Sequence, residues 1–315
     1  VSSRPTYQNT YGGGFDQNFG WFFSNWGPKF STQDASLFGS NFRGFDTDGT
    51  VLISHPLWNF AGNRSAFPEL EDAVYRYEPY PDPIEAFFQT GLASNSSLNI
   101  SGGFEDLRVN VSYSQNSEEG FTPNNVLERN SFSIGASYKI SNKLTAQTTF
   151  NMSLTDMESP PLAAGYGSGT FGTTSVFGDL MYTPRSIDLS IPYENPITGA
   201  NAYYRSGNGI PHPFWTVNNV KTTNYTQRFY GKTEFQYEVN DNINLVYRLG
   251  YDTFGESQQY LQNRGAGSGV PSYLDNGFFQ TIDLSSENWD TNINAIFNFQ
   301  PAEKISLDGT LGAQY

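Results

Sequence analysis

The chain has no cysteine in 315 residues, so it carries no disulfide framework, no thiol nucleophile and no cysteine-bearing metal site. It also lacks long hydrophobic runs. Nowhere do 18 consecutive apolar residues occur, and the longest uncharged stretches are broken by Asn, Ser, Thr and Gly, which excludes a transmembrane helix. Basic residues are scarce: 17 Lys and Arg against 31 Asp and Glu leave a formal charge of -14, the wrong sign for a nucleic-acid partner. Only two histidines are present, His55 and His212, each followed by proline and each in a different long loop, so a histidine triad or metal site has little to build from. No catalytic residue, cofactor or metal is assigned, and the chain is not read as an enzyme. It opens on Val1 with no initiator Met and no apolar leader, and residues 305–315 read as a strand in mid-course. The sequence therefore reads as a processed chain or a piece of a longer one.

What the sequence has is alternation. Only 37% of residues are hydrophobic, yet a β-barrel needs an apolar residue at only every second position of its strands. Leu107, Val109, Val111 and Tyr113 interleave with Arg108, Asn110 and Ser112, and Phe132, Ile134, Ala136, Tyr138 and Ile140 interleave with Ser133, Gly135, Ser137 and Lys139. The pattern continues through Leu144 to Leu154, Phe229 to Val239, Ile243 to Tyr251, Trp289 to Phe299 and Ile305 to Tyr315. Such runs exceed the about 5 or 6 residues usual in soluble proteins and reach the about 9 to 11 that a tilted membrane-spanning strand requires.

The connections alternate in length. Short turns at 102–106, 141–143, 240–242 and 301–304 are separated by long loops at 115–128, 156–221 and 254–285, the rhythm of periplasmic turns and extracellular loops. The fold class expected is all-β, a transmembrane antiparallel β-barrel with long extracellular loops, of which residues 95–315 supply the barrel strands. Tyr138, Tyr237, Phe297 and Phe299 near the short turns are either an interfacial girdle or ordinary strand aromatics. On the polar phase, Arg108, Arg228, Lys232, Glu234, Arg248 and Asp252 would face the lumen and pair there, since charge on the lipid face costs about 2 to 4 kcal/mol near the midplane.

Residues 1–94 differ. They are rich in Gly, Pro and aromatics with little alternation, and read as the end of an early barrel strand followed by a long extracellular loop. Within them Asp82-Pro83-Ile84-Glu85 places an acidic cap, a proline at the first helical position and a glutamate at the third, predicting a short helix near 83–88. Asp46-Thr-Asp-Gly49 has the opening of a calcium loop without its later ligands and is better read as a turn. Loop aromatics Trp21, Trp26, Trp58, Tyr203, Tyr204, Phe214 and Trp215 are the candidates for contact with substrate or a lid. Packing within the loops is the competing reading.

Several segments carry a family resemblance. Tyr80-Pro-Asp-Pro-Ile-Glu-Ala-Phe-Phe-Gln-Thr-Gly91 is followed by Asn95-Ser-Ser-Leu-Asn-Ile-Ser-Gly-Gly103, then Arg108-Val-Asn-Val-Ser-Tyr-Ser-Gln115, Glu119-Gly-Phe-Thr-Pro-Asn-Asn125, Arg129-Asn-Ser-Phe-Ser133 and Asn142-Lys-Leu-Thr145. Together with Ser24-Asn-Trp-Gly-Pro28 these resemble the SusC/RagA-like TonB-dependent outer-membrane transporters, densely over residues 24–150. The resemblance implies a 22-stranded barrel of which this chain covers part of the wall, with a plug and a TonB-contacting segment that are not present in it. It further implies outer-membrane lipid around the barrel, a SusD-like surface lipoprotein as partner and an oligosaccharide or peptide ligand. The function implied is TonB-dependent import of oligomeric nutrients. The alternatives are a barrel subunit acting as scaffold in a larger envelope or secretion complex, and a secreted all-β binding domain.

Overall fold

A computed structural model describes residues 8–20, 25–161, 175–202, 204, 211–266, 276–302 and 304–315. Two antiparallel sheets are present. Three short strands, β1 (Phe42–Phe45), β2 (Val51–Ser54) and β3 (Val74–Arg76), form a small one in that order. Eight long strands form the other: β4 (Leu92–Gly103), β5 (Leu107–Glu119), β6 (Val126–Lys139), β7 (Leu144–Ser159), β8 (Val220–Asn240), β9 (Ile243–Gln262), β10 (Phe278–Ala302) and β11 (Ile305–Gln314). Each of these pairs with its sequence neighbour, so the large sheet is an uncrossed meander with β4 and β11 at its edges, an open segment of barrel wall.

The register joins the alternation of single strands into continuous rows. Ile100 lies opposite Val111, which faces Ile134, then Phe150, Gly231, Tyr251 and Trp289 across seven strands. The row one step above runs Leu98, Tyr113, Phe132, Met152 and Phe229. These side chains are exposed or half-exposed, Ile100 and Trp289 each at 62%, and so large an apolar area over one face demands an apolar solvent. Glycine in the row is covered by its neighbour: the Phe150 ring lies where a side chain on Gly231 would stand, and Phe297 does the same over Gly309. The opposite face carries rows such as Asn99, Ser112, Ser133, Asn151, Tyr230, Asp252 and Asn288. The apolar positions of β7 from Leu144 to Leu154 cover about 33 Å of strand at about 3.3 Å per residue, and a tilt of about 40° reduces this to about 25 Å, the height of an outer-membrane apolar band.

The strands outrun their alternation toward the long-loop rim. The loop expected at 115–128 shrinks to 120–125, the one expected at 254–285 shrinks to 263–277, and β7 and β8 narrow the third to 160–219. Above the apolar band the outer positions turn mostly polar: Ser96, Gln115, Asn130 and Gln227 share a row with Leu154, and Ser94, Ser117, Glu128 and Asp156 share the next with Tyr225. Clear of lipid neither face must be apolar, yet the backbone ladder continues because its hydrogen bonds do not depend on side chains.

The segment over 1–94, read as a strand end and a long loop with a short helix near 83–88, is in its described part a folded module that joins with the described residues of 175–219. Helices α1 (Pro56–Asn59) and α2 (Pro83–Phe87) belong to the first stretch, α3 (Val176–Met181) and α4 (Pro213–Asn219) to the second. Phe38, Val51, Leu57, Tyr75 and Tyr77 from the first pack with Ile187 and Tyr204 from the second in one core. Polar bonds seal the join: the Gly13 amide donates to Ser186 Oγ at 2.9 Å and the Asp188 amide to Tyr75 Oη at 2.8 Å. The strands escaped notice because β2 is buried on both faces, which erases period-two patterning. Three of the four helices start with proline after a side-chain cap, Asp82 for α2 and the two histidines for α1 and α4, whose Nδ1 atoms accept from the Leu57 and Phe214 amides.

Two outcomes follow for the full-length protein. Ile134→Arg, on the apolar face, should lower folding stability in lipid vesicles by about 2 to 4 kcal/mol, whereas Ser133→Arg on the polar face should change it by less than about 1 kcal/mol; equal losses would contradict the facing. For the cap, burial pushes the His55 imidazole below its usual range, against a smaller opposing pull from Glu69. The stabilisation is fully present above about pH 6.5, where the unfolded histidine is neutral, and is lost progressively as pH falls toward the lowered native value. Thermal unfolding of the cap should therefore move to lower temperature between about pH 7 and about pH 4, and His55→Asn, which caps without titrating, should flatten that part of the profile.

Candidate functional site

The polar face of the wall is the first candidate surface. On β8 and β9 the register places Glu234 opposite Arg248, and Arg248 donates to Glu234 Oε2 from Nε at 2.9 Å and Nη2 at 2.7 Å. Arg228 grips Asp252 through Nε at 3.1 Å and Nη2 at 2.7 Å, and its guanidinium lies 5.0 Å from the Tyr230 ring centre. Four of the six charges expected to pair, Arg228, Glu234, Arg248 and Asp252, do so across one strand boundary. Toward β4 the wall becomes neutral, with Asn110 donating to Asn99 at 2.9 Å and Ser112, Ser114, Ser131 and Ser133 beside them. Among the described residues three hollows open on this face: one of about 360 Å³ around Gly250 beside Tyr230, Lys232 and Asp290, one of about 650 Å³ around Gly135 beside Arg108 and Gln147, and one of about 350 Å³ over Asn99 and these serines. Each glycine sits in the same cross-strand row, Asn110, Gly135, Thr149, Lys232, Gly250, Asp290, and a side chain at either would meet nothing closer than 3.6 Å. Tyr230 was missed in the sequence, although an aromatic on the polar phase between Phe229 and Gly231 is the signal that marks it.

The cap separates the loop aromatics into two kinds. Trp215 is fully buried with Val220, Tyr260 and Ala266, its indole donating to the Gly199 carbonyl at 3.1 Å, and Tyr204 is 2% exposed with its hydroxyl 2.8 Å from Thr183 Oγ1. Both are core residues in this structure. Phe214 is half-buried against Phe87 at 5.1 Å. Trp26, by contrast, is 63% exposed and rests on Tyr11 at 5.3 Å, and Trp58 is half-buried beneath the Arg64 guanidinium at 5.5 Å. Trp21 and Tyr203 lie outside the described residues. Tyr204 and Phe214 both pack on the His212 ring, at 5.5 and 5.9 Å, inside the cap.

The Asp46–Gly49 segment is the turn between β1 and β2. Arg76 of β3 binds Asp46, reaches Asp48 Oδ2 at 2.7 Å and Glu78 Oε2 at 3.0 Å, and hydrogen bonds from the Thr50 backbone and hydroxyl hold the Asp48 carboxyl below its usual range. The oxygens that a cation would need are committed to a guanidinium, which accounts for the turn.

No family model matches the sequence, and no curated protein matches it. Solved structures do. The RagAB peptide transporter matches with a TM-score of 0.59 at 15% identity over 83% of this chain and 28% of that one. The RagAB peptide importer matches in its closed-closed state with a TM-score of 0.57 at 17% identity and in its open-open state with 0.56 at 16%, each over 74% of this chain and 25% of the other. The chain therefore spans between 25% and 28% of the length of the structures it matches. It has the fold of a wall segment of the RagAB transporter barrel, the fold that the SusC/RagA resemblance implies.

Proposed function

We propose that this chain is part of the barrel of a TonB-dependent outer-membrane importer of oligomeric nutrients, glycan or peptide, working with a SusD-like surface lipoprotein. The observation that carries the proposal is the register: it holds an apolar band of membrane height on one face and a wall of amides, hydroxyls and paired charges on the other, in a fold shared with a peptide importer. In lipid an unpaired strand edge is not tolerated, so β4 and β11 pair in the whole barrel with strands outside the described residues. The long-loop rim with its cap faces the cell exterior, and the short turns face the periplasm. Trp26 and Trp58 are the cap aromatics offered to ligand or lipoprotein, with Trp21 and Tyr203 as further contacts, while Tyr204, Phe214 and Trp215 hold the cap that presents them. Coupling to TonB runs through a plug segment outside this chain.

The absence of cysteine makes the orientation directly testable. A single cysteine at Ile197, exposed on the cap, should react with a membrane-impermeant maleimide on intact cells, and one at Asn142 in a short turn should react only after the outer membrane is opened. The reverse pattern would turn the barrel over. Deletion of the whole gene should abolish growth on at least one oligosaccharide or peptide source. Unchanged uptake of all of them, with co-purification of secretion components in place of a lipoprotein, would favour the scaffold reading.

A further inference from the structure

The turn between β5 and β6 makes bonds that a hairpin does not require. Its own closure is complete: the Gly120 amide donates to the Asn125 carbonyl at 2.7 Å and the Asn125 amide to the Thr122 carbonyl at 3.3 Å. Asn124 nevertheless adopts a positive φ of 58°, a conformation that asparagine tolerates better than most side chains, and so turns its amide away from the hairpin. That amide donates to the Val217 carbonyl at 2.9 Å and lies 3.3 Å from Asn218 Oδ1, both near the end of α4. The other side of the turn holds the exit of α2. The Gln89 amide donates to the Phe121 carbonyl at 2.9 Å, the Gln89 side chain donates to the Gly120 carbonyl at 3.1 Å, and the rings of Phe88 and Phe121 meet at 5.3 Å.

We propose that the Gly120–Asn125 turn is a latch that holds the cap on the barrel rim, with the Asn124 amide as its bolt. The two places where the chain leaves the cap for the wall, residues 88–91 into β4 and Asn219 into β8, are held by this one turn and by the Trp215, Val220 and Tyr260 cluster. That cluster is continuous with β8 through Val220 and is reinforced by the Asn263 amide bonded to the Asn219 carbonyl at 2.8 Å, so it forms the fixed side. The latch is made of single hydrogen bonds and one ring contact and forms the releasable side. When it opens, the exit of α2 at 88–91 parts from the turn, while Trp215 and Val220 keep the end of α4 seated on the wall. The assignment also gives a mechanical role to the Gly-x-x-Pro-Asn motif, and it stands on the contacts of the turn whether or not the barrel transports nutrients.

Hydrogen exchange on the full-length protein tests it. Asn124→Asp keeps size and tolerance of the backbone conformation but removes the donor, and Asn124→Gly removes the side chain without backbone strain. Both should speed amide exchange at 84–91 and 213–219 by about five-fold, the factor carried by one neutral hydrogen bond, with β8, β9 and β10 unchanged. Wild-type rates in both segments for either variant, or acceleration spreading through the wall strands, would overturn the latch.

Discussion

Inside a bilayer no water satisfies a backbone amide or carbonyl, so a spanning sheet must bond every one of them to a neighbouring strand. The rest of this structure depends on that ladder. Because side chains alternate, a slip of one residue between any two strands would carry an apolar set to the polar face and a polar set into lipid. The registers of β4 to β11 shift only beside the short turns, at Glu238/Asn240 and Phe299/Ala302 among the described residues, and between these points they hold, giving a face on which Ile100, Val111, Ile134, Phe150, Tyr251 and Trp289 form one row. The polar face follows from the same registers. Glu234 meets Arg248 because Phe235 meets Tyr247 one residue away, so lipid contact and charge pairing are two consequences of one alignment.

Where lipid ends, the ladder persists without its side-chain constraint, and the strands rise as a polar collar that carries the cap. The cap is a module in its own right, since two stretches of chain more than 100 residues apart share the core of Phe38, Tyr75, Tyr77, Ile187 and Tyr204. Its aromatic content serves that core first. Burial keeps the hydroxyls of Tyr75 and Tyr77 protonated far above neutral pH, and both hold structure: Tyr77 donates to the Pro28 carbonyl at 2.7 Å and Tyr75 accepts from the Asp188 amide at 2.8 Å. The cap meets the collar through the Trp215 and Tyr260 cluster and through backbone bonds such as Asn201 to Gly265, and the turn at Gly120–Asn125 adds a further contact on the side of β5 and β6.

The band was legible in the sequence because period-two patterning is imposed wherever one face meets lipid and the other does not. Phe132, Ile134 and Ala136 against Ser133, Gly135 and Ser137 announce both the strand and its facing. The upper ends of β7 through β10 were not legible for the complementary reason: residues such as Thr222, Thr226, Gln258 and Asp283 are polar whichever way they point. The small sheet of the cap was hidden because β2 is buried at Val51 and Ile53 on one face and at Ser54 on the other, and Trp215 and Tyr204 looked like exposed contacts because nothing local says that a loop will form its own core. Tyr230 is the instructive omission. It breaks the phase of its strand, and a residue that breaks phase on a barrel wall is better read as a feature of the lumen than as noise.

The central claim is that one alternating face of β4 to β11 meets lipid over a limited height. It is tested most directly by placing single spin labels in turn from residue 126 to 139 along β6 in the full-length protein in lipid, and measuring collision with oxygen against a water-soluble relaxant. The account predicts high oxygen and low relaxant access at 132, 134, 136 and 138, the opposite or an intermediate value at 133, 135 and 137, and loss of the alternation between 126 and 130. Uniform water access along the whole strand, or alternation continuing undiminished to residue 126, would contradict it.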